Sequence, residues 1–210
     1  KGSDQQHHHP GMSHPGVFVV LEGPDGSGKS TLAVALAERM RQSGLDPIVV
    51  REPGGTHAAE IARRALLDPE HPIGPVSELF FYLAARADLV QAVIRPGLTQ
   101  GRVVLSDRFA LTTEAYQMAG RGLPAEVVLP ANRAAADGLV PDLTLILDLL
   151  PEVGQARQVA GGKRLDRLEL HALRGIRLPV GPARRRDALA QVDEILFRHV
   201  HAEGADGSLG

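Results

Sequence analysis

Between Gly23 and Ser30 the sequence reads Gly23-Pro24-Asp25-Gly26-Ser27-Gly28-Lys29-Ser30, which matches G-x-x-x-x-G-K-[ST] at every fixed position. The chemistry of that pattern is the holding of a phosphate chain. Glycines let the backbone curl until successive N–H groups face an anion, and the N-terminus of a following helix adds its dipole. Lys29 reaches the outer phosphates of a nucleoside triphosphate as a point charge. Ser30 offers its hydroxyl to Mg²⁺. Thr31, the next residue, is counted with this cradle. A chance glycine turn is the plain alternative, but the context argues against it. The apolar run VFVVLE (17–22) precedes the motif, and STLAVALAERMRQS (30–43) comes after it at helical spacing.

Other residues could act beside this cradle. Asp107 ends the apolar run VVLS, where a carboxylate can hold the Mg²⁺ shell or orient an attacking phosphate; otherwise it caps the next turn. Arg108 is next in the chain, and a guanidinium fork fits phosphate oxygens in a bidentate way. Arg51 offers the same chemistry, or is a solvated surface residue. Tyr82 and Arg86 lie four residues apart, on one face of a helix. By themselves Phe80, Phe81, Tyr82 and Tyr116 read mainly as core.

The elements that position these groups have an α/β pattern. Strands are expected at 17–22, 47–50, 103–106 and 143–149. Helices are expected at 30–43, 58–67, 77–100 (interrupted at Pro96), 112–119, 124–137 and from 152. Buried apolar strands alternating with helices predict a P-loop NTPase-type parallel sheet, a three-layer α/β/α domain whose ligands bind at the carboxyl ends of the strands. The 210 residues fit one domain, expected over 17–201, between tails at 1–16 and 202–210. With 43% hydrophobic residues and 3% aromatics, Ala, Val and Leu must build the core. A formal charge of −2 gives no reason to expect nucleic-acid or membrane binding, and Arg184-Arg185-Arg186 is too short a basic run to change that. There is no cysteine, hence no disulfide or thiolate metal site. His7-His8-His9 reads as a tag or tail rather than a metal site. With no signal-like or membrane-length apolar run, the expected location is cytoplasmic.

Ordered blocks from Val17 to Glu169 make the chain resemble thymidylate kinases: Arg51-Glu52-Pro53-Gly54-Gly55-Thr56, ELFFYLAAR (78–86), Asp107-Arg108-Phe109, TTEAYQ (112–117), Gly120-Arg121-Gly122, PDLT (141–144) and Asp166-Arg167-Leu168-Glu169. The resemblance implies transfer of the γ-phosphoryl of MgATP to dTMP, a step of nucleotide biosynthesis, by a homodimer joined through helices that include 77–100. It places Asp25 near the acceptor sugar's 3′-hydroxyl and Arg51 and Arg108 around the acceptor phosphate, and it counts Pro53, which fixes a turn, among the substrate-binding residues. It stacks Tyr82 on thymine, where the family usually has Phe, and sets Arg86, Thr112 and Thr113 near the base. Tyr116 would lie against the sugar C2′ side.

The family resembled has two charge arrangements, one with an arginine inside the P-loop and one with glycine there and cations on a mobile lid. Gly26 implies the second, with a lid at about 157–169. Arg157, Lys163, Arg164 and Arg167 lie in that stretch, and Arg164 and Arg167 are the implied catalytic pair. Asp166 and Glu169 would order it. Beyond Glu169 the agreement ends, through divergence or missing residues; Ala188–His201 reads as a closing helix. Two rival readings are a P-loop kinase for another nucleotide and a nucleotide-dependent switch. Base- and sugar-directed residues disfavour the first, and the absence of an N-K-x-D guanine segment disfavours a GTPase.

Overall fold

A computed structural model describes residues 16–160 of the chain. Its first strand, β1 (Val17–Glu22), sits inside a four-stranded parallel sheet of order β2-β3-β1-β4. The others are β2 (Ile48–Arg51), β3 (Val103–Asp107) and β4 (Leu143–Ile146). Every residue of β1 is buried, so its alternating side chains feed two cores. Val17, Val19 and Leu21 pack on Ala33, Leu36, Ala37 and Met40 of α1 (Lys29–Gln42). Phe18 and Val20 face the other layer, with Leu89, Val90, Ile94 and Phe109. Phe18 and Phe109 meet edge to face, centroids 4.9 Å apart. Truncating Phe18 to Ala would cost about 3–5 kcal/mol through the lost contacts and the void left behind. The expected three-layer α/β/α architecture is therefore present.

Register explains why the site loops converge. Asp107 pairs with Leu21 on one side and with Arg51 on the other. The loops after β1, β2 and β3 thus leave the sheet at one level. Asp142 docks β4 onto β1: its carboxylate accepts the Phe18 N–H at 2.7 Å, and its own N–H donates to the Phe18 carbonyl at 2.9 Å.

Several boundaries differ from the sequence expectation. β2 begins at Ile48, because Pro47 has no N–H for a ladder, and Arg51 is its last rung. β4 stops at Ile146 rather than Leu149. It is paired only with β1 among the described residues, and Thr144 and Ile146 are exposed rather than buried. The helix expected at 77–100 starts earlier and is not broken at Pro96. It runs as α3 (Pro75–Leu89), a π-helical segment (Val90–Ile94) and α4 (Arg95–Thr99). The wider turns lie just ahead of a residue that cannot donate the usual helical bond, a setting in which a helix can stay continuous.

The remaining helices are α2 (His57–Leu67), α5 (Ala110–Thr113), α6 (Ala125–Ala135) and α7 (Pro151–Ala160), with a second π-helical segment (Glu114–Gly120) after α5. Phe80, read as core, is 60% exposed, because the inner face of α3 is filled by Leu79, Tyr82, Leu83 and Arg86. No described helix is long and apolar enough to cross a membrane. Lys163, Arg164, Asp166, Arg167, Glu169 and the helix expected at 188–201 lie outside the described residues.

Candidate active site

The P-loop joins β1 to α1 with Gly28 as the helix N-cap at φ 93°, a left-handed conformation that favours glycine. Gly26 is constrained twice. Its φ is +74°, and a Cβ there would lie 2.3 Å from the Gly154 carbonyl of α7. An arginine inside this loop would therefore require α7 to move. Arg157 on α7 donates to the Gly26 carbonyl at 3.4 Å, so the first residue of the expected lid lies against the loop.

Lys29 is 5% exposed, and its ammonium donates to the Gly23 and Pro24 carbonyls at 2.9 Å each. Burial, reinforced by the Arg108 cation, lowers its pKa to about 8; Asp25, Asp107 and Glu22 oppose that shift. Ser30 Oγ donates to Asp107 Oδ2 at 2.5 Å. A hydroxyl from the first turn of α1 and a carboxylate from the end of β3 thus meet, a hard-oxygen pair suited to Mg²⁺. The other Mg²⁺ oxygens in such sites come from phosphates and water, so two protein ligands suffice.

Arg108 bridges the P-loop and α5. Its side chain is 13% exposed. It donates to Asp25 Oδ1 and, at 3.2 Å, to Thr112 Oγ1, with a longer contact of 3.4 Å to the Gly23 carbonyl. The guanidinium carbon stands 5.5 Å over the Tyr116 ring centroid. Arg51 stays half exposed on the same rim and donates to Glu60 Oε1 at 3.3 Å. Glu60 also accepts the Gly55 N–H at 3.0 Å, which pins the loop around a cis Glu52–Pro53 peptide.

The residues assigned to the base divide into two groups. Arg86 is fully enclosed: Nε and Nη2 donate to Glu52 Oε2 at 2.8 and 2.6 Å, Nη2 to the Phe109 carbonyl at 3.0 Å, and Nη1 to Asn132 Oδ1. Those bonds leave one of its N–H groups for anything else. Thr112 is likewise engaged, donating to Glu22 Oε2 at 2.7 Å. Thr113 differs. Its Oγ1 and the Oε1 of Gln117, one turn later, are buried oxygens without a hydrogen-bond partner in the structure. Glu78 holds the Gln117 amide from behind, accepting from Nε2 at 3.1 Å, and is itself clamped by Arg121 at 3.0 and 2.7 Å. Both oxygens belong to the TTEAYQ block (112–117), four residues apart, and buried oxygens of this kind call for a donor. Tyr82 is 7% exposed and packs with Leu66, Ile73 and Tyr116 nearby.

Sequence reasoning missed Glu22, Glu52 and Gln117. The i,i+4 spacing from Thr113 could have found Gln117. Nothing local distinguishes Glu22 or Glu52, whose partners are all distant in sequence.

The thymidylate kinase family model matches residues 21–178, which span the P-loop and every block of site residues. The chain belongs to the thymidylate kinase family. It is 52% identical over 155 residues to a thymidylate kinase from Ectopseudomonas mendocina, covering 73% of each chain. A thymidylate kinase from Pseudomonas putida is 50% identical over 155 residues, again 73% of each. Among solved structures, the crystal structure of thymidylate kinase from Ehrlichia chaffeensis superposes with a TM-score of 0.61 at 33% identity, covering 71% of this chain and 80% of that one. The parallel P-loop sheet and its helices are those of the family.

Proposed function

We propose that this chain is a dTMP kinase, transferring the γ-phosphoryl of ATP to the 5′-phosphate of thymidylate to give thymidine diphosphate and ADP. The observation that carries this reading is the position of Arg108, a guanidinium held between the triphosphate loop and the helix that begins the nucleoside side. An oxygen of the thymidylate phosphate attacks the γ-phosphorus as the bond to the β–γ bridging oxygen breaks, and ADP leaves.

Little covalent chemistry is asked of the protein, so its work is positioning and charge neutralisation. Lys29 holds the outer phosphates of the donor, and Arg108 with Arg51 holds the acceptor phosphate against them. Ser30 and Asp107 would hold Mg²⁺, which would supply charge neutralisation for the triphosphate. Arg157, Arg164 and Arg167 add cations from α7 and the segment after it, as suits a P-loop that has no room for an arginine at position 26. Asp25 lies beside Arg108 and meets the sugar's 3′-hydroxyl. Thr113 and Gln117 accept donors from the base edge, Tyr82 and Tyr116 wall the nucleoside, and Arg86 stiffens the pocket through Glu52.

Two further features belong to the same reading. Val76, Phe80 and Ala84 form an exposed stripe on α3, and α2, which packs on α3, exposes Ile61. A second copy of the chain would cover it, making the homodimer. Its natural setting in this reading is the cytoplasm.

ADP release from ATP and Mg²⁺, measured with dTMP, dUMP, dCMP and dGMP offered separately, tests the assignment. Turnover chiefly with dTMP is expected. Preference for another nucleotide would discard the base-site roles, and no acceptor-dependent turnover would discard the kinase.

A further inference from the structure

Glu22 is a carboxylate at the end of an otherwise apolar strand, and only 3% of it is exposed. Burying a carboxylate is costly unless hydrogen bonds offset the lost hydration. Three offset part of that cost, although burial still holds the carboxyl above its ordinary pKa, and all three go to one turn. Oε1 accepts the Phe109 N–H at 2.9 Å and the Thr112 N–H at 3.2 Å, and Oε2 accepts the Thr112 hydroxyl at 2.7 Å. We propose that Glu22 is a positioning residue that caps α5 from β1 and so fixes Arg108 for the acceptor phosphate.

That turn needs outside support. Arg108 sits at φ 78°, a left-handed conformation that costs a non-glycine residue about 1–2 kcal/mol. Such residues persist where their surroundings over-determine them. Leu21 accepts the Arg108 N–H at 2.9 Å, and Ser106 Oγ donates to the Arg108 carbonyl at 2.7 Å. The next element, α5, is a helix of four residues whose cap position, Phe109, has no capping side chain. Its first N–H groups would be orphans in a buried site. Glu22 takes the Phe109 N–H and shares the Thr112 N–H with the Phe109 carbonyl, which accepts it at 3.1 Å.

The third bond sets polarity. A threonine hydroxyl has one hydrogen, and in Thr112 it points to Glu22. The lone pairs are then left for Arg108, whose Nη1 donates to that oxygen at 3.2 Å. Glu22 thus acts on the guanidinium through the backbone at Phe109 and through the Thr112 hydroxyl. The P-loop itself is held otherwise: Leu147 donates to the Glu22 backbone carbonyl at 2.8 Å. Side chain and main chain of one residue therefore serve the acceptor and donor sides separately.

This inference rests on the dTMP kinase reading, which wild-type turnover with dTMP tests independently. The test compares full-length Glu22→Asp and Glu22→Gln. Aspartate keeps the charge but is one methylene too short; glutamine keeps the length and an acceptor oxygen. With each substrate varied at saturating levels of the other, E22D should lower kcat/KM for dTMP about tenfold while KM for ATP stays within about twofold. E22Q keeps an acceptor for the two N–H groups but turns an amide N–H toward the Thr112 hydroxyl, so it should retain more activity than E22D and less than wild type. Equal loss for both substrates, or E22D at or above E22Q, overturns the proposal. If neither variant folds, hydrogen exchange of the wild-type Phe109 amide, which donates to Glu22 Oε1, decides. Strong protection supports the capping bond, and exchange at the rate of an open loop overturns it.

Discussion

The Arg108 guanidinium donates to the Asp25 carboxylate, so a cation from the end of β3 and an anion from the P-loop are each other's partner across 83 residues of sequence. Neither is a simple surface group. Arg108 also lies over the Tyr116 ring and bonds Thr112, while Asp25 stands 3.8 Å from the Lys29 ammonium. Asp25 therefore sits between the two cations assigned to donor and acceptor phosphates. Its charge keeps them close in a site where their mutual repulsion would be weakly screened.

Replacing Arg108 should reveal that geometry. Arg108→Ala is expected to lower kcat/KM for dTMP about 100-fold or more, the scale of one lost charge-stabilising contact in a transition state. Arg108→Lys should recover little of it, because an ammonium cannot bond Asp25, Thr112 and a phosphate in one plane. Steady-state kinetics with dTMP varied decides; full recovery by lysine would mean that charge alone is needed.

Lys29 makes triphosphate binding depend on pH. Its pKa is lowered to about 8 by burial and Arg108, so the free protein loses this charge as pH rises through 8. Bound phosphates favour the charged form, so ATP binding at about pH 8.5 should take up a fraction of a proton, and affinity should fall above about pH 8. Calorimetry in two buffers of different ionisation enthalpy measures the uptake, which Lys29→Met should abolish. The same lowering predicts that the free protein gains stability between about pH 8 and the ordinary lysine value of 10.5, where the unfolded chain still binds the proton.

Glu52 and Arg86 form an enclosed ion pair, with side chains 5% and 1% exposed and an N–O distance of 2.6 Å. Glu52→Ala leaves the guanidinium buried against Asn132 and the Phe109 carbonyl without its counter-charge. We expect a loss of about 3–5 kcal/mol in urea unfolding. The double variant Glu52→Leu/Arg86→Met should be less destabilised than Glu52→Ala. Equal loss in both would show that the hydrogen bonds, not the isolated charge, dominate.

The exposed stripe of α3 gives an assembly test. Phe80 is 60% exposed and contributes little to the monomer's core. Phe80→Asp should leave the melting temperature of the isolated subunit nearly unchanged and shift the proposed dimer toward monomer in sedimentation velocity. A wild-type protein that sediments as a monomer at micromolar concentration would remove the dimer from the proposal.

What the sequence determined by itself was local in its physics. The phosphate cradle is legible because glycine spacing, a lysine and a hydroxyl act within eight residues of one strand-to-helix turn. The parallel sheet is legible because strands covered on both faces must be apolar throughout, as β1 is. Asp107, Arg108 and Arg51 could be nominated because strand ends in such sheets face ligands.

Tertiary structure decided how polar side chains are partnered. Thr112 and Thr113 are adjacent and chemically identical, yet one hydroxyl serves Glu22 and Arg108 while the other is an orphan beside Gln117. Arg86 is occupied by Glu52, and Phe80 is turned outward. A hydrogen bond between residues 34 or 90 positions apart leaves no periodic trace in the chain. Burial of apolar surface is non-directional and shows as a pattern, whereas a buried polar group is fixed by the few atoms that folding brings within about 3 Å of it.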